Sequence, residues 1–157
     1  MAQWSKTDLA YLAGLIDGEG SFSILKRTDG VRTRPGYRLQ LTIKMAHQDV
    51  IGWAHSMFGG NLYAIDLTRL VNRKPQWEWH AKQSELTNLL HVLRPFLKVK
   101  GPQADIFIEF YSKGFHRPGG YMPPDEVARR EGLWATIGHL NAHGGRVRSR
   151  VHLLTPL

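Results

Sequence analysis

Leu12-Ala13-Gly14-Leu15-Ile16-Asp17-Gly18-Glu19-Gly20 puts an apolar helical face, a row of tiny side chains and two carboxylates into nine residues. Read outward from it, Leu9, Leu12 and Ile16 recur at helical spacing, which predicts a helix over about 7–18. Thr7 or Asp8 can cap its start, and Gly18 and Gly20 are expected to stop it. Ala10, Gly14 and Gly18 lie four apart, so one stripe of this helix carries almost no side chain and another backbone can approach it closely. Asp17 and Glu19 then fall at the helix end. Carboxylates there face the negative end of the helix dipole, so helix stability does not explain them. A divalent cation would compensate them.

The segments that follow alternate with period two. Ser21 to Lys26, Tyr37 to Met45, Leu62 to Leu67 and Gln76 to Lys82 read as strands, with a helix at Asp49 to Phe58 ended by Gly59-Gly60. The later half is helical. Ser84 is expected to cap a segment carrying Leu86, Leu89, Leu90 and Leu93. Pro102 opens another with Ile106, Phe107, Phe110 and Tyr111. A Gly/Pro loop from Gly114 to Pro124 leads to a last helix from Asp125 to about Asn141. This order predicts an α+β fold, a four-stranded antiparallel sheet with helices packed on one face. The other face must then be polar or covered by a ligand.

With 157 residues, the chain is expected to form a single domain over 1–157, ending in a basic loop and tail from about 142. It has no cysteine, which excludes disulfides, zinc fingers and thiol catalysis. No apolar run reaches the ~18 residues of a membrane span, and Met1 to Thr7 lack the pattern of a secretory signal. The expected location is intracellular, in an organelle or a bacterial or archaeal cytoplasm, and not secreted. Lys and Arg number 21 against 13 Asp and Glu, a net charge of +8. With a pI near 10.0, a polyanionic partner is the natural complement.

The nine-residue stretch resembles the signature of the LAGLIDADG homing endonucleases at nearly every position, and the resemblance continues into Ser21-Phe22-Ser23-Ile24. Leu93-Arg94-Pro95-Phe96-Leu97-Lys98-Val99-Lys100, followed by Gln103-Ala104, is similar to a second segment of that family. Leu133-Trp134 and Leu140-Asn141 match the family's last helix before a basic loop, here carrying Arg146, Arg148 and Arg150. The resemblance implies a saddle-shaped sheet over double-stranded DNA and a homodimer, because one chain carries one signature. It also implies a metal-dependent cut in each strand of a long pseudo-palindromic site. Glu19 matches the acid that binds the catalytic metal, with the Gly18 carbonyl beside it. Lys100 matches a basic active-site residue, and His47 stands where a polar residue orders the attacking water. Ile51 stands where relatives often carry a basic residue, a role for which Lys44 is the candidate. Mg²⁺ is the expected metal, with Mn²⁺ as a substitute and Ca²⁺ supporting binding but poor cleavage. The pairing face is expected at Ala10, Ala13, Gly14 and Asp17.

Alternation assigns the DNA-facing side of the sheet. Arg38, Gln40, Thr42 and Lys44 alternate with Leu39, Leu41, Ile43 and Met45. Glu78, His80 and Lys82 oppose Trp77, Trp79 and Ala81, the tryptophans being taken as core; a one-residue slip would exchange the two sets. Ser23 and Leu25 belong with the DNA-facing set, as do Arg27, Arg32 and Arg34 of the first hairpin and Arg146 and Arg148 of the tail. His139 and His143 have metal-ligand spacing but no acidic partner, which favours a plain surface pair. The same fold would also serve an RNA-binding intron maturase or a non-catalytic DNA-binding regulator. Glu19 and Lys100 together favour the nuclease.

Overall fold

The computed structural model describes residues 4–27, 36–65, 73–113 and 122–144, with side chains through residue 142. The first helix, α1 (Lys6–Glu19), is capped by Ser5, whose hydroxyl accepts the Asp8 N–H at 3.1 Å. The cap is therefore neither Thr7 nor Asp8, because Asp8 serves as the return partner, donated to by the Ser5 hydroxyl. Gly18 does not stop the helix. It ends at Gly20, where the backbone turns extended and the Gly20 N–H closes on the Ile16 carbonyl.

Four antiparallel strands follow, β1 (Gly20–Arg27), β2 (Gly36–Met45), β3 (Asn61–Ile65) and β4 (Gln76–His80), in the spatial order β1-β2-β4-β3. Between β2 and β3 lies α2 (Gln48–Phe58). Gly59 and Gly60 then turn the chain at φ +67° and +90°. Gly60 has a second constraint: a Cβ there would lie 2.1 Å from the His80 carbonyl oxygen, so only glycine lets β3 start beside β4. The Trp79 indole seals this corner by donating to the Gly59 carbonyl at 2.7 Å.

The second half holds α3 (Leu86–Leu93), a 3-10 turn over Arg94–Phe96, α4 (Gly101–Phe110) and α5 (Pro124–Gly144). Ser84 does not cap α3. The helix is entered instead through a turn in which the Glu85 N–H meets the Lys82 carbonyl and Lys82 pairs with Glu85. The fold is α+β with the core between the sheet and its helices, as the alternation predicts. Leu9, Leu12, Ala13 and Ile16 of α1 sink into it with Phe22, Leu41, Ile43, Trp79 and Phe107. Burial of each large side chain there contributes about 1.5–3 kcal/mol. No helix among the described residues is long and apolar enough to cross a membrane.

Charged clamps fasten α5 to this core. Glu131 takes the Tyr37 hydroxyl and the Lys26 ammonium, and Lys26 also lies 4.8 Å from the centre of the Trp134 ring. Asn141 donates to the Phe22 carbonyl at 2.7 Å. Nearer its start, Glu126 accepts from Arg129 and from the buried Arg130, whose guanidinium lies over Phe110. Arg129 reaches on to the Glu109 and Phe110 carbonyls at the end of α4. The Arg129 hydrogen bonds, then those of Arg130, hold the Glu126 carboxyl down to about 2, against an ordinary 4.5. Its folded value is depressed, so its stabilisation is complete above about pH 4.5 and is lost as pH falls towards 2. Glu126→Gln should cost about 3 kcal/mol at neutral pH by leaving two guanidinium groups short of their acceptor. Denaturant titrations across that range should show the gap to the parent protein closing as pH falls. A gap that stays constant with pH would assign the loss to packing.

Candidate active site and nucleic-acid interface

The ends of two helices are locked to each other. Asp17, two residues before the end of α1, accepts the Lys98 N–H at 2.7 Å on one oxygen and the Lys100 N–H at 2.8 Å on the other. These are backbone donors at the start of α4, which has no side-chain cap of its own. In return, the Lys100 ammonium donates to the Ile16 carbonyl at 2.9 Å and to the Gly20 carbonyl. A lysine is poorly placed at the N-terminus of its own helix but well placed at the C-terminus of another. The internal cation Lys100 thus offsets part of the acidic charge that a metal was expected to neutralise. Burial pushes the Lys100 amine down, while Asp17 and then Glu19 push it back up. Gly20 is required by space, since a Cβ there would lie 2.6 Å from the Ile16 oxygen in the same knot.

Asp17 is therefore engaged within its own chain. Gly18 and Glu19 are exposed beyond it. A carboxylate and a carbonyl on an exposed turn are hard oxygen donors. They suit Mg²⁺, which keeps several waters and takes other ligands from phosphate. Among the described residues no group of three His, Cys, Asp or Glu could form a metal cage. The His143 side chain lies outside the described residues, and the His139–His143 spacing with it.

The small-residue stripe is exposed at Ala10, Gly14 and Gly18, with Tyr11 beside it at 49% exposure. Ala13 is not part of it. One residue off the stripe and four from Leu9, it falls on the core face and is 0% exposed, which removes it from the expected pairing face.

The register of the sheet fixes its open side. Leu39, Leu41 and Ile43 face the core, leaving Arg38, Gln40, Thr42 and Lys44 on the other face. Pairing places Ser21 opposite Thr42, Ser23 opposite Gln40, Leu25 opposite Arg38 and Arg27 opposite Gly36. On β4, Trp79 is fully buried and Trp77 packs against the core, so Glu78 and His80 share the open side as the alternation predicts. Lys82 lies past the end of β4, where it pairs with Glu85 at 2.6 Å. Asn61 and Tyr63 of β3 stand opposite His80 and Glu78, which adds two residues to the open face. Gln76 and Ser21 join them by strand parity. Burial on β3 shows no alternation, so only its pairing with β4 reveals its face.

At the far end of β2, His47 is exposed at the start of α2 without a side-chain capping bond. Lys44 is exposed opposite Glu78, one residue beyond the Gly20–Ile43 pair and so at the Glu19 end of the sheet. Ile51 is fully buried in the core, which leaves no place for a basic side chain there. Arg32, Arg34, Arg146, Arg148 and Arg150 lie outside the described residues, as do Leu67 and most of the Gly114–Pro124 loop.

No sequence-family model matches the chain, and no curated protein matches it in sequence. Solved structures do. The chain is similar to the homing endonuclease I-CvuI, in a complex with DNA formed with Mg, at 18% identity and a TM-score of 0.67, covering 86% of this chain and 82% of that one. It is similar to the archaeal intron-encoded homing endonuclease I-Vdi141I complexed with DNA, at 18% identity and a TM-score of 0.69, covering 85% and 83%. It is similar also to the LAGLIDADG homing endonuclease I-SmaMI bound to cleaved DNA, at 16% identity and a TM-score of 0.61. That match covers 82% of this chain but 43% of the other. At these identities the likeness is one of architecture: this chain has the fold of the LAGLIDADG homing endonucleases.

Proposed function

We infer that the chain is a site-specific DNA endonuclease that works as a homodimer with divalent metal ions. The observation that carries this reading is the place of Glu19. Its carboxylate is exposed at the last residue of α1, immediately before β1 enters a sheet whose open face is lined with Arg, Lys, Gln, Thr and His. An acid at that edge would oppose a phosphate backbone unless a cation stood between them.

The open face would lie along the major groove. Arg38 and Lys44 can donate to guanine there, and Gln40 can bond adenine through two hydrogen bonds. The resemblance to DNA-bound neighbours supports this face as the DNA side. Glu19 and the Gly18 carbonyl would hold Mg²⁺, which when bound neutralises phosphate charge and makes water a stronger nucleophile. Lys100 orients that helix end and keeps positive charge beside Glu19. His47 is the candidate to order water, and Lys44 the candidate for the charge that buried Ile51 cannot supply.

Two strands need two acids, and one chain offers one Glu19. I-SmaMI, of which this chain spans 43%, is long enough for two such units. Two copies of this chain, joined along Ala10, Gly14 and Gly18, would provide the same pair. Gly14→Leu should abolish pairing and cleavage, because nothing lies within 4 Å of a Cβ at that exposed position and the folded chain itself should tolerate the side chain. Sedimentation should show monomers with an unchanged melting temperature. A cutting Gly14→Leu monomer would contradict the dimer.

Selection of cleaved duplexes from a randomised library in Mg²⁺ tests the activity. The parent chain should return one long site, and Glu19→Gln should cut it about a hundredfold more slowly or worse. The Glu19→Gln protein should keep its stability and bind DNA as well or better. Lys100→Met should differ in kind: it strips donors from the Ile16 and Gly20 carbonyls and should lower stability by about 1–3 kcal/mol while slowing cleavage. Full cleavage by the Glu19→Gln protein would remove Glu19 from the active site.

A further inference from the structure

An acid stands on the open face of the sheet among cations and amides. Glu78 lies on β4 with Lys44 directly opposite it on β2 and Tyr63 opposite it on β3. Its carboxylate turns along its own strand, where Oε1 lies 2.9 Å from Nε2 of His80. An ionised carboxylate only accepts, so the proton of this bond sits on Nε2. The His80 ring is held in turn by the Gln40 amide, 3.1 Å from Nδ1, and by Tyr63, edge-on with the ring centres 4.7 Å apart.

The acids on the helix side are held differently. Glu126, Glu131 and Asp105 each pair with an arginine or a lysine. Glu78 instead meets an imidazole, and Lys44 makes no hydrogen bond or ion pair among the described residues although it stands directly opposite. His80 fixes Oε1, while Oε2 has no partner among the described residues. The Glu78 side chain keeps 23% of its surface open. It is a held, accessible acceptor, and its charge opposes an approaching phosphate backbone unless a base donor meets it.

The bases differ sharply in what they offer such a group. Guanine presents N7 and O6 and thymine presents O4 in the major groove, acceptors that oppose a carboxylate. Adenine has an amino donor but sets the N7 acceptor beside it. Cytosine presents its N4 amino group alone. We propose that Glu78 is a specificity-determining residue that reads cytosine, accepting a hydrogen bond from N4, with His80 as the positioning residue that holds the carboxylate. The proposal rests on the DNA-reading role inferred above for this face.

Selection of bound duplexes from a randomised library in Ca²⁺, with parent and variant chains side by side, tests this. Glu78→Ala should cost about tenfold in preference at one position of each half-site, where the parent selects cytosine, and leave the other positions unchanged. Glu78→Gln should admit adenine at that position, because an amide carries a donor for N7 beside an acceptor for N6. His80→Phe keeps a ring against Tyr63 but loses the donor, and should relax the preference at the same position and no other. A position that stays cytosine in the Glu78→Ala or Glu78→Gln selection, or that reads another base in the parent, overturns the cytosine contact. A preference untouched by His80→Phe overturns the positioning role of His80. A parent selection with no preferred base at any position overturns the DNA-reading role beneath both.

Discussion

The Asp17 carboxylate and the Lys100 ammonium exchange places between the ends of α1 and α4, and the candidate site depends on that exchange. Asp17 takes two backbone N–H groups at the start of α4, and Lys100 takes two carbonyls at the end of α1. The chain entering α4 thus donates to a carboxylate of α1, and the end of α1 gains a Lys100 donor in addition to the Gly20 N–H that already closes on Ile16. The consequence is positional. Gly18 and Glu19 leave the knot on its exposed side, and β1 leaves it in a fixed direction along β2. A chain lacking either partner would have a free helix end where the candidate metal ligand must be held.

The knot also explains what could be read from the residues and what could not. The apolar period of α1 and the strict alternation of β2 are local signals, and both segments were legible. The pairing of β4 followed once Trp79 was taken as core, since parity then carries Glu78 and His80 to the other face. The caps were not legible. Ser5 outdid Thr7 and Asp8 because hydroxyl reach, not residue type, decides, and Ser84 was bypassed by a turn built from backbone bonds and the Lys82–Glu85 pair. Ala13 illustrates the remaining gap. Its size suggested the pairing stripe, but its angle around the helix assigns it to the core. The second role of Lys100 was hidden for a different reason: its two acceptors lie about eighty residues away in sequence, beyond the range of any local pattern.

Charge is spent differently on the two sides of the molecule. On the helix side, Glu126, Glu131 and Asp105 are each paired with cations, which serves packing. On the open side of the sheet, Arg27, Arg38 and Lys44 stand exposed, and the acid Glu78 is engaged by His80. A polar sheet face of this kind is left wanting a ligand, and its rows are spaced at strand geometry, about 3.3 Å per residue. The neighbours that share this fold include complexes with DNA, and under the proposed function a duplex is the ligand of that face. Glu19 remains the one exposed acid of the motif, placed where the two helix ends meet the sheet.

The central claim is that two chains, each contributing one Glu19, make one double-strand cut. Mixed dimers of differently tagged parent and Glu19→Gln chains, purified through both tags, measure this directly on a supercoiled plasmid bearing the selected site. The account predicts that such dimers bind the site normally but no longer linearise the plasmid, leaving nicked or uncut circles. Linearisation at the rate of the parent dimer would contradict it, since one carboxylate would then suffice for both strands.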